Sequence, residues 1–219
     1  MWSSEVTNMI ITGIWETLYM TLVSTLAGYV IGLPMGIILT VSDKDGIKPN
    51  AVLYKILDVI ANIVRSVPFI ILLVLLIPFT RLVVGKSYGS TATIVPLVIA
   101  AAPYIARMVE SSLKEVDAGV IEAARSMGAS DFDIVTKVLL VEARTSLLVG
   151  ATITLGTILG YSAMSGAVGG GGLGAIAIRY GYTRWQTDIM IVTVILLIIL
   201  FQIFQTVGMK LADKFDHRK

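Results

Sequence analysis

Long stretches without a charged residue constrain this chain more than any other feature. A helix needs about 20 residues to cross the ~30 Å hydrocarbon core of a bilayer. Four uncharged runs are that long, and they are Thr17–Ser42, Ser87–Ala106, Thr145–Ile178 and Ile189–Met209. Each run predicts a transmembrane helix. The later part of the third run, Gly166–Gly174, holds six glycines in nine residues and is predicted to be a loop.

A further helix is predicted from a shorter run. Only fifteen uncharged residues separate Arg65 from Arg81, which is about 22 Å of helix and too short for a span. A membrane-spanning helix is still possible if the helix begins near Ile56. Arg65 then lies near one membrane face, where its long side chain can extend to place the charge in water. The chain is 15% charged, against about 25% in soluble domains. The predicted fold is an all-α integral membrane protein with five transmembrane helices.

The distribution of lysine and arginine predicts the orientation. With the N-terminus outside, eleven of these residues fall in predicted cytoplasmic segments and four in outer segments, as the positive-inside rule requires. The tryptophans then form part of an outer aromatic belt; they are Trp2, Trp15 and Trp185. The topology is predicted to be N-out/C-in. The expected divisions are an extracytoplasmic segment 1–16, a membrane domain 17–209 and a cytoplasmic tail 210–219.

Residues suited to catalysis or metal binding are scarce. The absence of cysteine excludes a thiol nucleophile and a cysteine zinc site. The one histidine, His217, lies in the charged tail, so no histidine metal site is expected in the membrane. The net charge of +2 gives no reason to expect a nucleic-acid partner. Acids in or beside the apolar runs are interpreted as interfacial groups near helix ends and not as a proton relay; they are Glu16, Asp58, Glu110 and Asp188.

Two glycine motifs fail as nucleotide sites. Gly169–Gly174 fits G-x-G-x-x-G but follows no strand of a βαβ unit. Gly85-Lys86-Ser87 resembles the end of a phosphate-binding loop, but Thr80 stands where that motif needs a glycine. No cofactor is therefore expected in this chain. If ATP drives the protein, another subunit must bind the ATP.

The segment Ser111–Arg144 joins the third and fourth predicted spans on the cytoplasmic side. Its 34 residues are too many for an unstructured connection in a compact protein. Asp117 can cap the start of a helix, and Gly128 can end it, because glycine accepts the left-handed conformation found after helices. Ser130 and Asp133 fit the capping box of a second helix. The loop is predicted to be helix, glycine turn, helix.

The first of these helices is predicted to be amphipathic. Its apolar face by spacing is Val120, Ile121, Ala124 and Met127, and that of the second helix is Phe132, Val135, Val138 and Leu139. Glu122, Arg125 and Ser126 face away, and Glu122 can pair with Arg125. Such a helix either lies in the lipid interface or docks in a groove on a partner. The acids Glu122, Asp131 and Asp133 disfavour an anionic membrane surface.

A family resemblance bears on this choice. Glu122-Ala123-Ala124, then Gly128, then Val138 and Leu140 resemble the EAA signature of ABC importer permeases. The signature usually ends in proline, and Val141 stands in its place. The resemblance implies that this helix couples the permease to a separate ATPase subunit. The implied coupling residues are Glu122, Ala123, Ala124, Arg125, Met127 and Gly128.

Longer strings are similar to methionine importer permeases. They are Arg65–Leu73, Ala102–Glu110, Gly160–Met164, Gly166–Gly174 and Tyr180–Tyr182. The resemblance implies a homodimer in the bacterial cytoplasmic membrane, with lipid around it. It also implies two ATPase subunits that bind the ATP and a substrate-binding lipoprotein outside. The substrate implied is methionine, of either hand.

Several alternatives remain open on the sequence. The cargo can be another amino acid or a small polar solute, or the chain can be a stand-alone secondary transporter or channel. A membrane enzyme is the weakest reading because no nucleophile and base pair is present. Tyr161, Ser162 and Met164 lie in the part that resembles the family's pore-facing span. They line the translocation path, or they pack between helices.

Overall fold

The computed structural model describes residues 4–215 of the protein, so Trp2, His217 and the end of the tail lie outside the described residues. Between these limits the chain is helical and contains no strand. The α-helices are α1 Ser4–Ser42, α2 Ala51–Ser66, α3 Phe69–Leu75, α4 Ile77–Val84, α5 Ser90–Lys114, α6 Ala118–Ser126, α7 Asp131–Asp133, α8 Leu140–Glu142, α9 Arg144–Ser165, α10 Gly172–Ile176 and α11 Thr187–Phe215. Ile134–Leu139 and Ala177–Tyr182 are π-helical, and Gly166–Val168 is a 3₁₀ turn.

The membrane-spanning character of the chain is confirmed. By length and composition four helical segments within residues 4–215 can cross a bilayer, and they are Ser4–Ser42, Ser90–Lys114, Arg144–Tyr182 and Thr187–Phe215. A fifth span results if α2 and α3 are taken as one bent segment. Helix α1 starts at Ser4, well before the predicted start at Thr17, so it includes most of the predicted outer segment.

The segment predicted to be one continuous helix from Ile56 is broken into two helices. Helices α2 and α3 meet at an angle of 101°. The break falls at Val67 and Pro68, because proline has no N–H to donate and pushes the residue before it into extended geometry. Val67 has φ −84° and ψ 125°. Arg65 lies in the last turn of α2, two residues before Val67, where the break begins.

Helix α5 is the central element of the bundle, and α1 lies along it at very short range. A Cβ at Gly32 would lie 2.6 Å from the Ala102 carbonyl oxygen, and one at Gly36 would lie 2.6 Å from the Ala106 carbonyl oxygen. These glycines, together with Gly28, let the two backbones approach as small residues do in membrane bundles. Their four-residue spacing places all three on the face of α1 that packs against α5.

The second glycine pair behaves differently. Gly156 faces the Phe201 ring of α11, whose Cε2 atom would lie 2.5 Å from an added Cβ. Gly160 has no atom of the described chain within 4 Å of such a Cβ. Gly156 therefore packs closely against α11, whereas the surface of α9 at Gly160 is not covered by any residue from 4 to 215.

The glycine-rich segment is more ordered than the predicted loop, and α1 holds it in place. The Gly172 amide donates to Glu16 Oε2 at 2.7 Å, and the Leu173 amide donates to Thr17 Oγ1 at 2.9 Å. The two side chains thus cap the start of α10, whose first amides have no partner within the helix. Gly171, with φ +91°, makes the turn before it. Glu16 is therefore a capping group for α10, a role that the sequence had not indicated.

The Gly32→Ala variant should be less stable than the wild type. The added methyl group meets the Ala102 carbonyl oxygen as well as the Ile105 side chain. The backbone oxygen cannot move by itself, so the helices must separate, at a cost of about 1–3 kcal/mol. Thermal unfolding in detergent, followed by tryptophan fluorescence, measures the loss. The matched control is Gly160→Ala, where the Cβ meets nothing in the described chain and stability should hold. Equal melting temperatures for the two variants would contradict the tight α1–α5 contact.

Candidate functional site

The predicted helix in the loop between α5 and α9 is present as α6. The Asp117 carboxylate accepts a hydrogen bond of 2.7 Å from the Gly119 amide and caps its start. Gly128 has φ +83°, and its amide donates to the Arg125 carbonyl at 2.9 Å. The left-handed residue closes the helix and turns the chain toward α7. Both predicted ends of this helix are confirmed.

The spacing predicted that the apolar residues of α6 share one face, but in the structure they do not all do so. Ala124 is 6% exposed and lies in the core with Ile121 and Leu139, whereas Met127 is 82% exposed. Helix α6 ends at Ser126 and Met127 is its C-cap, so the helical spacing no longer applies to that residue. One side of α6 therefore belongs to the permease core, and Met127 projects away from it.

Arg125 attaches α6 to another part of the protein. Its guanidinium donates to the carbonyl of Ile47, in the segment that joins α1 to α2. The predicted pair between Arg125 and Glu122 is therefore wrong, because the arginine is engaged by the backbone of this segment. Glu122 is exposed, and its carboxylate makes no hydrogen bond or ion pair with any residue from 4 to 215. Ala123 is exposed beside it.

The second helix of the loop begins as predicted, but its buried residues do not follow the α-helical spacing that was predicted. Ser130 Oγ accepts from the Asp133 amide at 3.2 Å. The π-helical turn that follows buries Ile134 and Leu139, which are 0% and 1% exposed, at a spacing of five. Phe132 is 75% exposed, so its predicted place in the apolar stripe is wrong. The chain continues through Val141 to Glu142 with no proline to stop it.

A cluster of charged side chains joins α1, α2 and α5 near α6, and we call it the α5 charge cluster. Its centre is Glu110, whose carboxylate is contacted by Arg107 Nη1 at 2.6 Å, Lys114 Nζ at 2.8 Å and the Tyr54 hydroxyl at 3.3 Å. Glu110 is 4% exposed. The expectation of a solvated acid is wrong here, because cations one helical turn to either side neutralise it on the same helix face.

The outer members of the α5 charge cluster extend it to the neighbouring helices. Arg107 pairs with Asp58 and donates to Asn62, both on α2. Lys114 pairs at 2.5 Å with Asp43, just beyond the end of α1. This hydrogen bond from Lys114 holds the Asp43 pKa below its usual value. The contact therefore stabilises the fold above the ordinary aspartate pKa and is lost as the pH falls through the lowered one.

The three candidate residues for the translocation path do not converge. Tyr161 is half-buried, with its ring stacked on Phe69 at a centroid distance of 4.4 Å. Ser162 is 1% exposed and donates to the Leu159 carbonyl at 2.8 Å, so it lies between helices. Met164 is 53% exposed. Residues at these spacings point in different directions from a helix, and only Tyr161 and Met164 reach a surface.

Within residues 4–215 the structure combines apolar helices long enough to cross a bilayer with a structured polar loop, and it contains no group of residues that could hold a metal ion. The sequence pattern of the "binding-protein-dependent transport system inner membrane component" family matches residues 32–218. The chain belongs to this family. It is thus a multi-pass protein of the bacterial inner membrane and a transport subunit, not an enzyme.

Named relatives are similar over most of the chain. The "Probable D-methionine transport system permease protein MetI" of Vibrio cholerae is 48% identical over 217 residues, covering 99% of this chain and 96% of the relative. The D-methionine transport system permease protein of Escherichia coli K12 is 56% identical over 72% of this chain and 73% of its own length. The expected membership of the ABC importer permeases is confirmed.

Solved structures agree with these relatives. A chain from "Inward facing conformations of the MetNI methionine ABC transporter" superposes with a TM-score of 0.96 at 50% identity, over 99% of this chain and all of that one. A chain from an amino acid ABC transporter has a TM-score of 0.73 at 22% identity over 98% of this chain and 96% of its own, and shares the fold.

The Arg107→Leu variant should lose stability, because it leaves Glu110 and Asp58 short of a partner. Removing one member of a buried ion pair costs about 3–5 kcal/mol, and the lower end applies here because the Arg107 side chain is 18% exposed. Chemical unfolding in detergent measures the loss. Lys137→Leu is the control, since it breaks the exposed pair with Asp133 and should leave stability unchanged. Equal stability of the two variants would contradict a structural role for the α5 charge cluster.

Proposed function

We propose that this chain is the permease subunit of an ATP-driven importer that carries methionine across the inner membrane. The observation that carries the proposal is the match, at 48–50% identity and almost full length, to a protein named as a methionine permease and to a chain of a methionine ABC transporter. The D-methionine in the names of the relatives supports acceptance of both hands of the substrate.

The proposed complex contains a second copy of this chain, two ATPase subunits, a substrate-binding lipoprotein outside and surrounding lipid. ATP is bound by the ATPase subunits. Helix α6 supports this arrangement, because it presents a free carboxylate and an exposed methionine on a rigid, doubly capped element. An amphipathic helix of this kind fits a groove on a partner.

The residues of α6 divide between two proposed roles. Ala124 and Arg125 hold the helix against the permease through the core and the Ile47 carbonyl. Glu122, Ala123 and Met127 are exposed and contact the ATPase, with Gly128 setting the end of the helix. A docking helix needs both roles, because force applied to its outer side reaches the membrane domain only if its inner side is fixed.

The proposed topology is N-out/C-in with five spans, the second being the bent pair α2 and α3. Residues 1–16 form the outer segment, 17–209 the permease domain with its coupling loop 111–144, and 210–219 the cytoplasmic tail. Tyr161 and Met164 line the translocation path in this proposal. Ser162 supports them from the inner side of α9.

The Glu122→Lys variant tests the coupling role. Reversing the free carboxylate places a cation in the ATPase groove and should lower ATP-driven uptake of labelled L-methionine by roughly tenfold or more, as loss of an interaction worth about 1.4 kcal/mol would. Uptake is measured in proteoliposomes with the ATPase subunit and the loaded binding protein. Because Glu122 has no partner in the described chain, the melting temperature of the permease should not change.

The matched control is Asp213→Lys, the same charge reversal at an exposed acid in the last turns of α11. This variant should import methionine as the wild type does. Normal uptake by Glu122→Lys would contradict the coupling role. Ion-driven flux through the permease alone, without the ATPase, would instead identify a secondary transporter.

A further inference from the structure

The position of Arg65 has no structural explanation within the fold. It lies in the last turn of α2, within the bent pair α2 and α3 that the proposed topology takes as the second span, and its side chain is exposed. Its guanidinium forms no hydrogen bond or ion pair with any residue from 4 to 215. Arg107 provides the contrast, since that arginine is neutralised by Asp58 and Glu110. A charged side chain within a span is costly and marks a functional site unless it is paired.

Arg65 lines a cavity of about 200 Å³ that is formed by four helices. Val64 and Arg65 come from α2, Phe69 and Leu72 from α3, Tyr104 from α5 and Tyr161 from α9. The cavity exists because of the break at Pro68, which turns α3 away from the line of α2 and brings Phe69 over Tyr161. Ligand pockets for drug-sized molecules measure ~300–1,000 Å³, so this cavity suits a smaller molecule, on the scale of one amino acid.

The walls of the cavity combine one cation with aromatic and aliphatic surface. The rings of Phe69 and Tyr161 are parallel within 3° and stacked face to face at a centroid distance of 4.4 Å, so each covers one face of the other and ring edges border the cavity. The hydroxyls of Tyr104 and Tyr161 make no hydrogen bond within the described chain, so both can bond to a ligand. The residues around the cavity include no acid. The lining therefore places a positive charge beside a bound anion and holds no negative charge for a cation.

We propose that this cavity, the Arg65 cavity, is a binding site inside the permease for the carboxylate and apolar side chain of an amino acid in transit. Arg65 binds the α-carboxylate through two parallel N–H donors, a geometry that suits guanidinium and not ammonium. The side chain lies against Phe69 and Tyr161, where a thioether sulfur gains favourable contact with the ring edge. A phenol hydroxyl of Tyr104 or Tyr161 completes the carboxylate contacts.

The chemistry of the lining sets the selectivity. Recognition rests on the carboxylate and the side chain, because no acidic group is present to read the ammonium. Norleucine, which replaces the sulfur by a methylene group, should therefore occupy the Arg65 cavity. Methioninol, which lacks the carboxylate, should not. This inference rests on the proposed function and names the place where the permease itself contacts its cargo.

The test is photo-labelling of the assembled permease–ATPase complex with a diazirine analogue of methionine, followed by mass spectrometry of the permease peptides. The wild type should be labelled on the segments that carry Phe69, Tyr104 or Tyr161. L-methionine and norleucine should suppress the label, and methioninol should not. Arg65→Gln should lower labelling about tenfold or more, since a hydrogen bond to a charged group is lost. Arg65→Lys should restore part of it.

Two further variants separate binding from folding. Arg81→Gln removes an arginine of α4 that is absent from the cavity, and should be labelled as the wild type is. Tyr104→Phe removes only a hydroxyl, and should weaken labelling while the melting temperature stays the same. Absence of label at these segments, suppression by methioninol, or unchanged labelling of Arg65→Gln would each overturn the proposal.

Methionine uptake, measured on the same preparation, distinguishes a failure of the Arg65 cavity from a failure of the proposed import function. If the wild-type complex imports methionine, and Arg65→Gln imports it with an unchanged KM and is labelled normally, the Arg65 cavity is refuted and the proposed function stands. If the wild-type complex imports no methionine although its ATPase is active, the proposed function itself is refuted. If the inference is right, Arg65→Gln raises the KM for uptake while ATP hydrolysis without substrate stays unchanged.

Discussion

The approach of α1 to α5 is the contact on which the rest of the structure depends. Gly32 and Gly36 remove the side chains that would hold the two backbones apart, and α5 carbonyls fill the space. With α1 fixed on one side of it, α5 carries the cations that hold α2 and the end of α1. Lipid offers no hydrophobic gain for helix association, so packing and polar contacts must supply it. The small residues of α1 supply the packing, and the charged residues of α5 supply the polar contacts.

The break between α2 and α3 explains features that a straight helix would not produce. A continuous α2 would place Phe69 one turn beyond Arg65 on the same helix, and the ring would not reach Tyr161. The bend at Pro68 turns the chain by 101° and opens the space between α2, α3, α5 and α9. Proline here separates the polar residues of α2, which face the α5 charge cluster, from the apolar helix α3.

Local features of the fold could be predicted from the sequence, and features that join distant segments could not. The caps of α6 depend on Asp117 and Gly128 and their immediate neighbours, so the residue types sufficed. The glycine spacing of α1 likewise indicated a packing face. The π-helical turn at Ile134–Leu139 carries no residue type that would indicate it. The expectation that Glu122 pairs with Arg125 failed because the Ile47 carbonyl is a competitor 78 residues away.

Acidic residues illustrate the same limit. Glu16 and Glu110 are each near the end of an apolar run, which suggested contact with water. The structure gives each a partner from another place: the amide of Gly172 for Glu16, and Tyr54 together with two cations of α5 for Glu110. Hydropathy measures how costly a charge is in lipid, but not which group neutralises it. That information appears only when helices distant in sequence are placed side by side.

These contacts join α6, in the loop between α5 and α9, to the helices α1, α2 and α5 by a continuous set of residues. Arg125 fixes α6 to the α1–α2 connection at Ile47, and Asp43 in the same connection is fixed to Lys114 of α5. Arg107, two turns further along α5, holds α2 through Asp58 and Asn62, and Asn62 lies one turn before Arg65. The proposed ATPase partner pushes on the exposed side of α6. The resulting displacement of α6 would reach α2 through these hydrogen bonds and ion pairs. The bend at Pro68 then provides the point at which α2 can move relative to α3, so that the Arg65 cavity lies where the motion would change its shape.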